Sequence, residues 1–530
     1  MNQLSSVLGI VEEGREGQGR HSGSGVPPLE GVDDKKCGDL RKGRFPSGGT
    51  PLPLSLRTFL LCLLATLLAG CDPADLIHWA PDGRHAIVQG ADGEYLIDSE
   101  GKILGKTTGA QIWMPDSRHA VGVRSTDAHS WEEYAALLGK ERADAVASGA
   151  EQLLPIIRAY KGDWDKFDQD ETVQQWTSSH KDAEGSATVL YLAEKHADVI
   201  APALEAWKKS GEKSTTASIY TLGIRSVLPG EDPDEHVLLR SADSISAVTP
   251  SPDGTAIAFV MSSPNGPSLR VIVAGGGDVL TVADGPTQAA WMPDSKQLVF
   301  ARPNSAGKDQ DATLGSITRA QIRGDNGELL LKSTEDLAGI LFAQNRSSVA
   351  CLPDGRILFT TFAIQLPALD KDMPKTATLF LLQPGESSSI MHLLSPQMEK
   401  LLPDRADAFV LSPDAKHIAV PGENGEVAVI SLEKGEVTSL QGKAWDLSET
   451  KNFHNQTRPL PLIPSWRGPD ELCYVAAQPD KNGEPSRGEL VLQKLGATPR
   501  IISHSWSDAM TDAFLPRPKA PEPKADGSAN

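Results

Sequence analysis

Trp291-Met292-Pro293-Asp294-Ser295-Lys296-Gln297-Leu298-Val299 is the stretch on which the fold turns. Most of it already stands at Trp113-Met114-Pro115-Asp116-Ser117-Arg118-His119-Ala120-Val121. Looser copies occur at Trp79-Ala80-Pro81-Asp82-Gly83, Ser251-Pro252-Asp253-Gly254, Leu352-Pro353-Asp354-Gly355, Ser412-Pro413-Asp414-Ala415 and Gly468-Pro469-Asp470-Glu471, seven copies in all. Proline presets φ and withholds a ladder hydrogen bond. An aspartate side chain holds backbone N–H groups a residue or two further on, and Gly or Ser tolerates the next position. The alternating apolar residues on either side read as the two strands of a half-buried hairpin. One such hairpin is ordinary turn chemistry, but seven with similar flanks are a repeat architecture. Asp82, Asp116, Asp253, Asp294, Asp354, Asp414 and Asp470 are therefore expected to be structural turn formers.

The phrase W-x-P-D-[GS]-[KR]-x-[LIA]-[VA] resembles the repeat of TolB-type, WD40-like β-propellers over residues 75–508. The resemblance implies an all-β fold, a seven-bladed β-propeller of four-stranded antiparallel blades. Such blades bury their faces only by stacking on neighbours in a closed ring. TolB-type members also carry an N-terminal α/β domain. No stretch here matches one, so a TolB-specific role is not expected.

The period then breaks. Asp82 and Asp116 stand 34 residues apart, whereas the next copy, at Asp253, lies 137 beyond Asp116. The gap is filled by helical sequence. Ser130-Trp131-Glu132-Glu133 is a capping box. Trp131, Tyr134, Leu138 and Ala145 form one apolar stripe, and Val189, Leu192, His196, Ile200, Leu204 and Trp207 form another, with Pro202 expected to kink or divide it. A middle helix is expected near 164–180. Residues 71–125 thus predict blade one and the first part of blade two, 126–213 a helical insertion in blade two, and 214–508 the remainder of blades two to seven. Repeats three to five are placed at about 243–286, 287–336 and 340–396.

Residues 1–56 read as a disordered lead or a start codon assigned too far upstream. Residues 57–70 carry about a dozen apolar residues after Arg57, which suits a signal peptide and falls short of the roughly twenty that span a membrane. Leu68-Ala69-Gly70-Cys71 resembles the lipobox of bacterial lipoproteins. That resemblance implies cleavage between Gly70 and Cys71, diacylglycerol on the Cys71 thiol, and an exported protein anchored to an envelope membrane and facing the periplasm. It leaves inner and outer membrane open. Residues 509–530 are Pro-rich and expected to be unfolded.

The formal net charge is -19, and the chain beyond residue 70 carries -20, with 43 Lys and Arg against 63 Asp and Glu. Such acidity argues against nonspecific binding to nucleic acid and against adhesion to anionic lipid by charge. Of five cysteines, Cys351 and Cys473 fall in strands of blades five and seven, where they are expected reduced and buried rather than bridged. The sequence contains no G-x-S-x-G elbow, no phosphate loop before a helix, no C-x-x-C and no H-E-x-x-H. Gly275-Gly276-Gly277 reads as a hairpin turn. His78, His85, His119 and His417 stand in or beside repeat strands and are expected to hydrogen-bond locally. No catalytic residue, metal ligand or cofactor is expected.

Because the Pro-Asp turns join the first strand (a) to the second (b), the b–c loops emerge on the opposite face. The insertion is a b–c loop, as are the long connections at 303–312, 363–376 and 477–488. Asp309, Asp311, Asp370 and Asp372 on that face are candidates for a cation or a basic partner, or simply solvated loop residues. Loops held on a rigid scaffold commonly carry function. The expected function is a noncatalytic lipoprotein that binds an envelope protein or peptide through this face. A hydrolase or lyase site in the channel and a structural subunit of a membrane complex are the rival readings.

Overall fold

The computed structural model describes residues 77–503, apart from 91–92, 161–170, 172–181, 202–216, 231–233, 287, 304–311, 325–326, 344–347, 361–378, 384–389, 393–408, 422–425, 444–462 and 480–484. Two units divide the chain, 1–54 and 55–530, and every described residue belongs to the second. The expectations for 1–56, 57–70 and 509–530 fall outside the described residues, as does the middle helix near 164–180 apart from Glu171, which is helical, and so do Gly70 and Cys71.

Seven four-stranded antiparallel sheets follow one another, each made of four strands consecutive in sequence. Blade one runs from Ile77 to Thr107, blade two from Ile112 to Ser241, blade three from Ser244 to Asp284 and blade four from Ala289 to Ala343. Blades five, six and seven span 349–392, 410–443 and 465–503. This is the seven-bladed β-propeller that the repeat implied.

Six of the Pro-Asp turns share one geometry. In blade one the Gly83 N–H returns to the Ala80 carbonyl at 2.8 Å and the Ala80 N–H meets the His85 carbonyl at 2.8 Å. The Asp82 Oδ1 accepts from the Arg84 N–H at 3.0 Å. The same carboxylate-to-backbone bond recurs at Asp116, Asp253, Asp294, Asp354 and Asp414. The residue after each aspartate is left-handed: Gly83 has φ 67° and Ser295 φ 56°. Asp470 departs from this set. Its turn is a two-residue hairpin in which Gly468 pairs Glu471, and its Oδ2 meets Lys494 Nζ at 3.0 Å. Glu471 follows it where Gly, Ser or Ala stands elsewhere.

Stacking of the blades makes the core. Seven buried clusters each draw on two neighbouring blades, and together they run round the ring. Ala80, Ile87 and Leu96 of blade one meet Trp113 and Ala120 of blade two. Met114 and Val121 meet Ile257 and Phe259 of blade three, and so on through four, five and six. Cys473, Val475 and Leu490 of blade seven then pack against Ile77, Trp79 and Val88 of blade one. The ring closes through side chains, since neither terminal blade borrows a strand from the other.

Neighbouring inner strands are stapled by the motif tryptophans. The Trp113 indole donates to the His78 carbonyl of the preceding blade at 2.8 Å, Trp291 to Thr249 at 3.0 Å and Trp466 to Val410 at 3.0 Å. Turns touch as well: the Asp82 N–H donates to Ser117 Oγ at 3.1 Å and the Asp253 N–H to Ser295 Oγ at 3.0 Å. All these turns therefore share one face.

Blade four ends later than the repeat predicted. Its outer strand, Leu329–Ala343, is 15 residues long, and 338–343 pair back onto 312–317. The apolar run there reads as the start of the next inner strand but completes the previous blade, and blade five begins at Val349.

Candidate functional site

The helical insertion leaves blade two between its second strand, His119–Asp127, and its third, Ser218–Ser226, whose ends pair Asp127 with Ser218. It contains helices α1 (Trp131–Leu138), α2 (Lys140–Tyr160) and α3 (Asp182–Lys195). Ser130 caps α1, its Oγ accepting the Glu133 N–H at 3.1 Å. Gly139, at φ 80°, ends α1 and turns the chain into α2. The first stripe is therefore split, with Trp131, Tyr134 and Leu138 on α1 and Ala145 on α2. The α3 helix ends at Lys195, ahead of Pro202, because the chain turns again at His196, whose carbonyl accepts the Val199 and Ile200 N–H groups. Leu204 and Trp207 lie outside the described residues.

The module is fastened to the ring. Trp131, Tyr134, Leu138 and Val146 bury against Ala217, Ile219 and Ala242. Arg142 grips Asp243, which is 8% exposed, at 3.0 Å. Glu133 accepts from Arg240 at 2.6 Å and from the His129 N–H at 3.3 Å. Those two bonds, the Arg240 one foremost, hold the Glu133 carboxyl below the usual range. Arg240 lies at the end of the outer strand of blade two and residues 242–243 cross to blade three, so the insertion seats on the face opposite the Pro-Asp turns.

Within the module, α2 and α3 share a second core of Leu153, Leu154, Ile157 and Leu192. Glu151 ties them at the surface, accepting from Tyr191 Oη at 2.8 Å and contacting His196 Nε2 at 2.8 Å. His196 first and Tyr191 second hold the Glu151 carboxyl low. Burial, with help from Glu151, pushes the Tyr191 hydroxyl up. Trp131 packs edge-on to Tyr191, ring centroids 5.2 Å apart, while its backbone N–H donates to the Glu194 carboxylate at 2.6 Å.

The opposite face carries a cavity of about 310 Å³ lined by Met114, Asp116, His119, Ser226, Asp234 and His236 among others. His119 Nδ1 lies 2.6 Å from Asp116 Oδ2, the local bonding expected of it. His85 and His417 differ, each burying Nδ1 with no hydrogen-bond partner. On the other side of blade two, Glu235 bridges Arg124, at 2.9 Å, and Arg225. Gly109 and Gly122 let blade one approach this network, since a Cβ on Gly122 would stand 1.9 Å from the Gly109 carbonyl.

Cys351 and Cys473 are free thiols, Cys473 buried and Cys351 only partly so, and burial pushes both up to about 12. Gly276 and Gly277 turn between two strands of blade three with φ of 84° and 122°. Among the described residues no group of three His, Cys, Asp or Glu side chains is placed to hold a metal. Asp309, Asp311, Asp370 and Asp372 lie outside the described residues.

These features define a seven-bladed β-propeller with a helical module seated on one face. Its Pro-Asp repeat resembles that of TolB-type propellers. No family model matches the chain and no curated protein does. Among solved structures, TolB from Acinetobacter baumannii is 17% identical over 52% of this chain and 57% of its own, with a TM-score of 0.34. An acylaminoacyl peptidase from Pyrococcus horikoshii is 13% identical over 54% of this chain and 42% of its own, at 0.34. A prolyl endopeptidase is 13% identical over 63% of this chain and 48% of its own, at 0.36. The chain spans about half the length of these structures, and the likeness extends to the fold alone.

Proposed function

We propose that this chain is a noncatalytic propeller, tethered to an envelope membrane by a lipid on Cys71, that binds a protein or peptide on the face bearing its b–c connections and helical insertion. One observation carries the reading. The described residues of the insertion, 126–160 and 182–201, form a module with its own core, fastened where blade two passes to blade three by a buried apolar cluster and by Arg142–Asp243 and Glu133–Arg240. A rigid projection from a ring face adds surface whose shape is fixed before contact, which lowers the ordering cost of binding. The anchor rests on Leu68-Ala69-Gly70-Cys71.

Affinity purification from intact envelopes tests the reading, comparing the full chain with a variant in which a short linker replaces 129–216. The partner should be lost with the insertion while the propeller stays folded. If every partner stays bound to the shortened protein, the insertion is not the recognition element. For the anchor, Cys71→Ala should abolish acyl labelling and release the protein from membranes.

A further inference from the structure

The first strand of the ring, Ile77–Trp79, pairs Ile77 with Val88 and Trp79 with Ala86. The Pro-Asp turn follows Trp79, so the strand runs toward the turn face and starts at the other one. The chain therefore enters the ring beside the b–c end of blade one, where Gly90 pairs Gly93. The insertion rises from the b–c end of the adjacent blade, after Asp127. Entry point and module share a face and stand one blade apart.

Cys71 precedes Ile77 by six residues. Fully extended, that span reaches at most about 20 Å. A lipid on Cys71 therefore keeps the entry face within about that distance of the headgroups. The turn face lies across the ring from it.

The insertion is acidic. Residues 126–213 hold 17 Asp and Glu against 10 Lys and Arg, and Glu132, Glu141 and Asp144 stand exposed on α1 and α2. Such a surface gains no attraction from zwitterionic headgroups and is repelled by anionic ones, within about a Debye length. A bilayer is thus a poor occupant for this face, and a basic protein surface is a good one.

We propose that the insertion face looks toward the membrane and engages a basic extramembrane segment of a membrane-embedded protein, while the Pro-Asp turn face looks away. This rests on the Cys71 anchor proposed above and adds the orientation and the kind of partner. The occupant is a protein fixed in the same membrane, reached sideways, and not a soluble protein arriving from the far side of the ring.

The test places a photo-crosslinking residue in the full-length, membrane-bound protein at Glu141 or Asp144 on the module, and at Arg84 or Lys296 on the turn face. Acyl labelling of each variant is measured in the same samples. The expected result is labelled protein that crosslinks an integral membrane protein from Glu141 and Asp144, at least tenfold more than from Arg84 and Lys296. Raising the salt concentration should weaken the module crosslinks severalfold. Labelled protein that crosslinks a membrane protein only from the turn face overturns the orientation and leaves the anchor standing. Module crosslinks to lipid alone, or to soluble proteins alone, overturn the partner. Loss of acyl label in the unmodified protein removes the anchor and this inference with it.

Discussion

Arg467 lies over the indole of Trp79, 5.4 Å from the ring centroid, and its Nε donates to the Gly83 carbonyl at 3.2 Å. The two residues stand at opposite ends of the ring's sequence, on the inner strands of blades seven and one. At three other junctions the motif indole reaches the carbonyl of the preceding blade. At this one the Trp79 N–H finds no oxygen and faces the Cys473 sulfur instead. Arg467 takes over the stapling, with its guanidinium also 3.2 Å from Glu471. Beside it, Arg500 meets Glu100 at 2.9 Å.

Arg467→Ala should therefore loosen the closing seam. It removes a partly buried cation–π contact and a charge-assisted bond to a carbonyl, together about 1–3 kcal/mol. The expected outcome is a lower denaturation midpoint, with faster hydrogen exchange in 77–107 and 465–503 than in blades three and four. Uniform exchange across all seven blades would show that the seam is no weaker than the other junctions.

The indole bonds predict a contrast between chemically identical changes. Trp291→Phe and Trp466→Phe each strand a carbonyl that had a donor, at a cost of about 1–3 kcal/mol plus lost ring area. Trp79→Phe breaks no bond to oxygen and keeps an aromatic face for Arg467, so it should cost clearly less. Urea midpoints of the three variants check this, and equal losses would mean that ring volume alone sets the cost.

The turn position after the aspartate offers a second contrast. Ala415 sits at φ 55°, a region that strains any residue with a Cβ. Ala415→Gly should raise stability by up to about 1 kcal/mol, less the extra freedom glycine gives the unfolded chain. Ser295 shares the conformation, but its hydroxyl accepts the Asp253 N–H. Ser295→Gly should therefore gain less or lose, and thermal melts of the two variants will show the difference in sign or size.

How much of this was written in the sequence depends on the distance over which each contact acts. The Pro-Asp hairpins are local, so Trp291 to Val299 sufficed to specify the turn, and seven copies gave the ring and its blade number. The place of the insertion followed from one broken period. Asp470 shows the limit of local matching, since Pro469-Asp470 is present but Gly468 pairs directly with Glu471 and the chain reverses in a shorter turn. The helix α2 continues beyond Ala145 to Tyr160 despite Pro155, because Leu153, Leu154 and Ile157 are buried against Leu192. That core joins parts of the chain about 40 residues apart, and periodicity alone did not reveal it. The Arg467–Gly83 bond spans 384 residues, and no short pattern signals it. His119 announced its local partner three residues away, whereas nothing near His85 or His417 indicated a buried, unpartnered nitrogen.

Docking of the module can be tested at Arg142. Removing its side chain leaves Asp243 with a buried carboxylate and one cation fewer, which typically costs a few kcal/mol at a site this enclosed. Because the cost falls on the contact between α2 and the crossover, Arg142→Ala should raise hydrogen exchange in 131–160 far more than in blades five to seven. Arg142→Lys should recover part of the protection. Partner capture from envelopes should fall with Arg142→Ala if the module's fixed position matters to binding.

Acid should weaken the turns in a defined window. Burial alone would raise the Asp253 carboxyl, but bonds from Ser251, from the Thr255 N–H and hydroxyl, and attraction to Arg323 outweigh it and hold the group below its ordinary value of 3.8. Asp116 and Asp414 are held low in the same way, by His119 and Arg118 and by Ser412 and Lys416. A carboxyl lower in the folded than in the unfolded chain stabilises fully above the unfolded value, and that stability drains away as pH falls through the folded one. Thermal stability should therefore be flat with respect to these groups from pH 7 to about 5 and decline below about 4. Asp253→Asn should start lower at pH 7 and decline less between pH 5 and 3 than the wild type. Parallel curves for the two proteins would show that the bonds around Asp253 contribute nothing that titrates.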